Sequence, residues 1–186
     1  SNHGIVRRSI EAIEKALETY QPSEILYICG WSSPLRKEYF VENKSYKIHP
    51  HWSTMLPGVL IDNKRETFFV NSCDDETFKK RKEEFVRFHV DFLWSSKGCD
   101  TQFKINDITL RGLCAMEGIK GLFFYAFGDE YLNNPNMEEY LDVSFDHFLL
   151  NSDINNAELY AEDKNHPGLL GHKIWADYLY KKITNE

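Results

Sequence analysis

The stretch YQPSEILYICGWSSPLR, Tyr20 to Arg36, decides the fold. Its centre, Ile25–Cys29, is a continuous apolar and partly β-branched run of strand length that stops at Gly30. There is no alternation of polar and apolar residues, which predicts a strand buried on both faces, as in a parallel sheet. Upstream, Val6, Ile10, Ile13, Leu17 and Tyr20 are spaced by four, three, four and three residues, one apolar stripe of a helix that Pro22 ends. Helix, short loop, buried strand is the grammar of an α/β domain.

Further along, Pro50, Pro57 and Gly58 interrupt residues 34 to 72, where YKIHPHW and TFFVN read as short extended pieces. Asp74 or Asp75 is placed to cap a helix running to about Trp94, with Phe78, Phe85, Phe88 and Phe92 along one side. A second helix is expected over about 103–117, ending near Gly118. GLFFYAF, Gly121–Phe127, is the clearest strand, and Gly128-Asp129 follow it at the end where ligands collect in open α/β sheets. The last helix is expected from about Pro167, with Leu170, Ile174, Tyr178 and Ile183 facing inward. Two parallel strands and four helices make too small a sheet for such a fold. Either the middle segment supplies more strands, or part of the sheet lies outside this chain.

With 186 residues and no repeat or linker, residues 1–186 read as one domain, and an aromatic content of 15% argues for a packed core over disorder. A net charge of −7 disfavours nucleic acid and anionic membranes as partners. The basic run Lys79–Lys82 is offset by Glu83, Glu84 and Asp74–Glu76, the pattern of a solvated helix face. Cys29, Cys73, Cys99 and Cys114 form no C-x-x-C and no framework spacing, which suits a reduced, cytoplasmic compartment. No apolar run reaches the roughly 18 residues of a membrane span, and no signal-peptide core opens the chain. It starts on Ser1-Asn2 rather than Met, the mark of a processed or trimmed sequence. Neither a phosphate loop nor a dinucleotide fingerprint occurs, so no cofactor is expected.

The chemistry concentrates in EDKNHPGLLGHKIW, Glu162–Trp175. Asp163 stands three residues before His166, near enough for its carboxylate to fold back onto the imidazole Nδ1. In Ser-His-Asp catalysis that carboxylate fixes the tautomer of the His and stabilises its protonated form. The same spacing also suits an ordinary turn leading into the last helix.

The surrounding block, with Asp163, His166, Pro167, Gly171, His172, Ala176 and Leu179, resembles the last motif of the SGNH (GDSL-like) hydrolases. The start of the chain resembles the same family. SNHGIVRRSIEAIEKAL followed by ILYICGWSSPLRKEYF is similar to its Asn block and the strand after it, in a phage-type variant. The likeness covers residues 1–38 and 119–183. It implies a three-layer, flavodoxin-like fold and an ester hydrolase acting on acyl groups, including those on carbohydrate. His166 would be the base, Asp163 its orienter, and Asn2 an oxyanion donor. Asn2 would equally suit a helix N-cap.

The family's Gly-Asp-Ser nucleophile block is missing from the 186 residues. The resemblance therefore implies a nucleophile and first strands supplied by an upstream segment or a second chain. A rival reading makes Ser32 or Ser33 the nucleophile, in a turn at the end of the first strand. Arg36 and Glu38 are candidates for binding substrate, or for an exposed ion pair. His49 and His51 have metal-ligand spacing with no completing ligand, so no metal is expected. His89 and His147 read as partly buried core residues, and Asp129 as a turn or a site residue. A different class of function, a non-catalytic binding or scaffold domain of hydrolase shape, fits the same residues.

Overall fold

A computed structural model describes residues 1–34, 36–43, 48–55, 76–126, 141, 143–154, 156–162 and 166–184. They form a mixed α/β chain whose sheets are small: β1 (Leu26–Trp31) pairs in parallel with β4 (Lys120–Tyr125), and β2 (Lys37–Asn43) pairs with β3 (Ile48–Met55). The middle segment thus contributes a separate antiparallel hairpin, and no further parallel strands among the described residues. Two compact units emerge, residues 1–27 with 32–121, and residues 28–31 with 122–186.

In the first unit, α1 (Asn2–Leu17) packs on α3 (Ser96–Glu117) and on β2. Ser1 is its N-cap, the hydroxyl accepting from the Gly4 N–H, so Asn2 is the first helical residue and not the cap. Of the expected stripe only Ile13 is fully buried, while Tyr20 lies beyond the helix end and is exposed. The helix α3 starts seven residues earlier than expected, because the Ser95 hydroxyl accepts from Gly98 N–H and makes a cap of what reads as a loop. Gly118, at φ 71°, closes it with its N–H on the Ala115 carbonyl. Cys99, Phe103, Leu110 and Cys114 form its buried side. Burial pushes the Cys114 thiol up, with Arg111 opposing, which suits the small-hydrophobe role expected of it.

The hairpin carries Pro50 without breaking. Pairing passes from Val41↔His51 to Asn43↔Ile48, so two residues of β3 stand opposite one of β2, and the missing proline N–H falls in that bulge. TFFVN and the Asp74–Asp75 cap lie outside the described residues. From Glu76 the expected helix does form, as α2 (Glu76–Phe88), then widens into a π turn over His89–Leu93. Its aromatic side is open: Phe85, Phe88 and Phe92 are exposed, while His89 in the turn is buried.

In the second unit, Phe124 of β4 joins Phe145 and Leu149 of α4 (Phe145–Leu150), Leu159 of α5 (Asn156–Leu159), and Trp175 and Leu179 of α6 (Leu169–Thr184) in one core. The α6 stripe is Gly171, Trp175 and Leu179, one residue on from the expected register, with Leu170, Ile174 and Tyr178 at its margin. Trp175 takes the centre because its ring meets Phe124, Phe145, Phe148 and Tyr178, all at about 5 Å between centroids. Along β1 the burial alternates: Cys29 and Trp31 are buried, whereas Leu26 and Ile28 are 40% and 44% exposed. One face of that strand is covered, where the unbroken apolar run predicted two.

Candidate functional site

The turn leaving β1 is held by the first turn of α1. The Asn2 side chain, 3% exposed, donates from Nδ2 to the Ser32 carbonyl and accepts at Oδ1 from the Ser32 N–H, each at 2.9 Å. Both heteroatoms of the amide are engaged, and one N–H of Nδ2 remains for a further acceptor. Chain direction then reverses as Arg36 N–H donates to the Ser33 carbonyl, with the buried Pro34 inside the turn. Ser32 Oγ is buried and has no hydrogen-bond partner among the described residues. A nucleophilic hydroxyl needs a base in reach and an open approach, and no described residue bonds Ser32 Oγ.

Glu38, at the start of β2, turns inward. Its side chain is 7% exposed, and its carboxylate pairs with Arg7 Nη2 at 3.5 Å. It lies so close to α1 that a Cβ at Gly4 would stand 2.5 Å from its Oε1. A Cβ there would make the carboxylate shift. A negative charge beside the amino end of a helix is favoured by the macrodipole, and Arg7 shares in holding it. Glu38 is therefore part of a largely buried ion pair, which corrects the expectation of an exposed one. Arg36 is partly buried at the exit of the turn.

The loop expected to carry the base belongs to the second unit. Asp163 lies outside the described residues. His166 is exposed, on a loop pinned by two short main-chain bonds: Ala161 N–H donates to the His166 carbonyl at 2.8 Å, and Gly168 N–H to the Leu159 carbonyl at 2.7 Å. Tyr160 and Pro167 form an antiparallel bridge between them. Pro167 thus sits in an extended bridge, and α6 begins at Leu169. The two glycines are required by close approach. A Cβ at Gly168 would meet the Tyr160 carbonyl at 3.0 Å, and one at Gly171 the Leu159 carbonyl at 2.7 Å. The HPGLLGH sequence is thereby explained as a tight seam against residues 159–161 that leaves the His166 ring outside.

At the carboxyl end of the parallel strands, Ala126 N–H donates to the Trp31 carbonyl at 2.9 Å, and Asp146 N–H to the Ala126 carbonyl at 3.3 Å. This brings Asp146, a residue the sequence did not single out, to the ends of β1 and β4. Burial alone raises its pKa above the ordinary 3.8. His147, its neighbour, is exposed and not in the core, because its N–H caps on Ser144 Oγ at the helix start. His172 lies against Phe145, ring centroids 5.4 Å apart. Asp129 and the side chains of His49 and His51 lie outside what is described. His89 is buried as expected, with the Tyr39 hydroxyl 2.9 Å from its Nδ1.

Among the described residues no group of three His, Cys, Asp or Glu could hold a metal, and no helix is long and apolar enough to cross a membrane. No protein-family model, curated protein or solved structure significantly matches the chain.

Proposed function

We propose that this chain is a SGNH-like ester hydrolase of flavodoxin-like, three-layer architecture, acting on acyl esters such as those of carbohydrates. In that reading His166 takes the proton of a serine nucleophile, Asp163 orients the imidazole, and Asn2 donates its remaining amide N–H to the oxyanion. The nucleophile is carried by a segment outside these 186 residues, and Arg36 contacts substrate. The observation that carries the reading is the His166 loop. A general base must be both open to substrate and fixed in place, and His166 is exposed on a loop held by two bonds shorter than 2.9 Å. A cytoplasmic location fits a chain whose cysteines form no C-x-x-C and no framework spacing.

The test is turnover of nitrophenyl acetate by the full-length protein, with and without His166→Ala. A loss of roughly a thousandfold or more is expected. Unchanged turnover in the variant removes His166 from the reaction. A fluorophosphonate probe locates the nucleophile, and label on Ser32 or Ser33 would transfer that role to the turn after β1.

One observation favours a non-catalytic binding or scaffold domain. Asn2 is already committed to Ser32 through both ends of its amide, a structural task sufficient to explain its place. Absence of fluorophosphonate labelling in the full-length protein would decide for that reading.

A further inference from the structure

We propose that the exposed face of α3 is the surface on which two copies of this chain associate, their helices lying antiparallel about a twofold axis. One face of α3, with Cys99, Phe103, Leu110 and Cys114, is buried within the first unit. The opposite face carries Ile105, Ile108 and Met116, which are 52%, 68% and 81% exposed. A surface helix ordinarily turns polar residues outward, and a helix that is apolar on both sides is covered on both. Isoleucines scattered singly over a surface need no explanation, but these are aligned. Gly98, Thr101, Ile105, Ile108, Gly112 and Ala115 follow one another by three, four, three, four and three residues within α3, the spacing of the seam between two packed helices.

Three observations commit the face to a second copy. The spacing reads the same from either end, so an antiparallel copy sets Ile105 against the partner's Ile108, Thr101 against the partner's Gly112 and Gly98 against the partner's Ala115. Such self-complementarity is what a twofold contact requires. It also gives Gly112 a purpose: a glycine inside a helix costs stability, and a Cβ there would meet nothing within 4 Å in the single chain. Secondly, the hydroxyls on this face are already turned inward. Thr101 Oγ1 donates to the Lys97 carbonyl and Thr109 Oγ1 to the Ile105 carbonyl, both at 2.8 Å, so covering the face strands neither. Thirdly, a net charge of −7 opposes self-association over most of the chain, yet α3 is neutral, with Lys97, Lys104 and Arg111 balancing Asp100, Asp107 and Glu117. A strongly charged partner finds no complement here, whereas a copy of the same neutral helix meets no block of like charge. None of these residues belongs to the hydrolase site proposed above.

The test is sedimentation equilibrium of the full-length protein from low micromolar to several hundred micromolar. One helix pair makes a small contact, so wild type is expected to form a weak, reversible dimer whose mean mass climbs toward twice that of the chain. Ile105→Glu/Ile108→Glu replaces two exposed side chains, so it should keep the circular dichroism and melting point of wild type. By placing like charges across the seam it should weaken association about tenfold or more. Ile105→Lys/Ile108→Glu in one chain sets opposite charges across an antiparallel seam and like charges across a parallel one. This second variant should therefore associate about tenfold more tightly than the first. A wild type that stays monomeric throughout gives the face to a different partner and overturns the proposal. So does a first variant that associates like wild type, which puts the contact elsewhere. A second variant no tighter than the first removes the antiparallel pairing, and the proposal with it.

Discussion

Asn2 grips the main chain of Ser32 from both sides, thirty residues away in sequence, donating to its carbonyl and accepting from its N–H. The contact lets the first residue of α1 set the path of the chain as it leaves β1. Replacing Asn2 by Ala leaves two main-chain groups without partners in a buried place, and should cost about 2–4 kcal/mol. Asn2→Asp should cost at least as much, since its carboxylate keeps the acceptor but faces the Ser32 carbonyl without a proton. Urea unfolding followed by circular dichroism reads both. A loss below about 0.5 kcal/mol in Asn2→Ala, a surface-like value, would show that the pair does not organise the turn.

Tyr39 and His89 provide a second junction, between the hairpin and the π turn. Phe85 adds an edge-to-face contact with Tyr39, ring centroids 5.4 Å apart. Removing the hydroxyl in Tyr39→Phe should cost about 1 kcal/mol at neutral pH. Burial, with a smaller contribution from Cys99, raises the Tyr39 pKa above 10.0. A raised pKa on an acid that is neutral when protonated gives stability present below the unfolded value and lost as pH climbs through the folded one. Wild type should therefore lose stability above pH 10 more steeply than Tyr39→Phe, and the two curves should converge. Parallel curves would mean that the phenol is not buried in solution.

What the sequence revealed follows from which interactions are local. The presence of α1 and α6 (though not their buried faces), the β4 run and the end of α3 at Gly118 all depend on neighbours within a few residues, and they are legible. Long-range effects are not. The exposure of Leu26 and Ile28 depends on what lies beside β1, and periodicity carries no such information. The start of α3 was hidden because Ser95 caps across a glycine. Glu38 reads as a surface charge until Gly4 is seen to open a space for it. Asp146 was silent for a similar reason: its place at the strand ends is fixed by a hydrogen bond to Ala126, twenty residues away. The HPGLLG stretch suggests chemistry, and its two glycines serve packing against Leu159 and Tyr160.

Two glycine substitutions should act in opposite directions. At Gly112, inside α3, a Cβ would meet nothing within 4 Å, so Gly112→Ala should stabilise by about 0.5–1 kcal/mol through the lower entropy of the unfolded chain. At Gly171 the added methyl collides with the Leu159 carbonyl, and Gly171→Ala should destabilise by about 1–3 kcal/mol. That clash should also loosen the Gly168–Leu159 bond that steadies the His166 loop. Amide exchange at Gly168 should accelerate in Gly171→Ala and stay unchanged in Gly112→Ala. Exchange that is equal in both would separate the loop from the packing of α6.

Trp175 is a further case in which two terms oppose each other. Its ring fills the centre of the second unit's core, yet its Nε1 is buried with no hydrogen-bond partner among the described residues. Truncation to Ala leaves a large cavity and should cost about 3–5 kcal/mol. Trp175→Phe also loses ring area, but it removes an N–H whose burial unpaired costs about 1–3 kcal/mol. The two contributions nearly cancel, so Trp175→Phe should lie within about 1.5 kcal/mol of wild type, the range of a volume-tolerant core exchange. Urea unfolding of both variants, followed by circular dichroism so that the lost indole does not alter the signal, makes the comparison. A cost for Phe approaching that for Ala would mean that the indole N–H has a partner in solution.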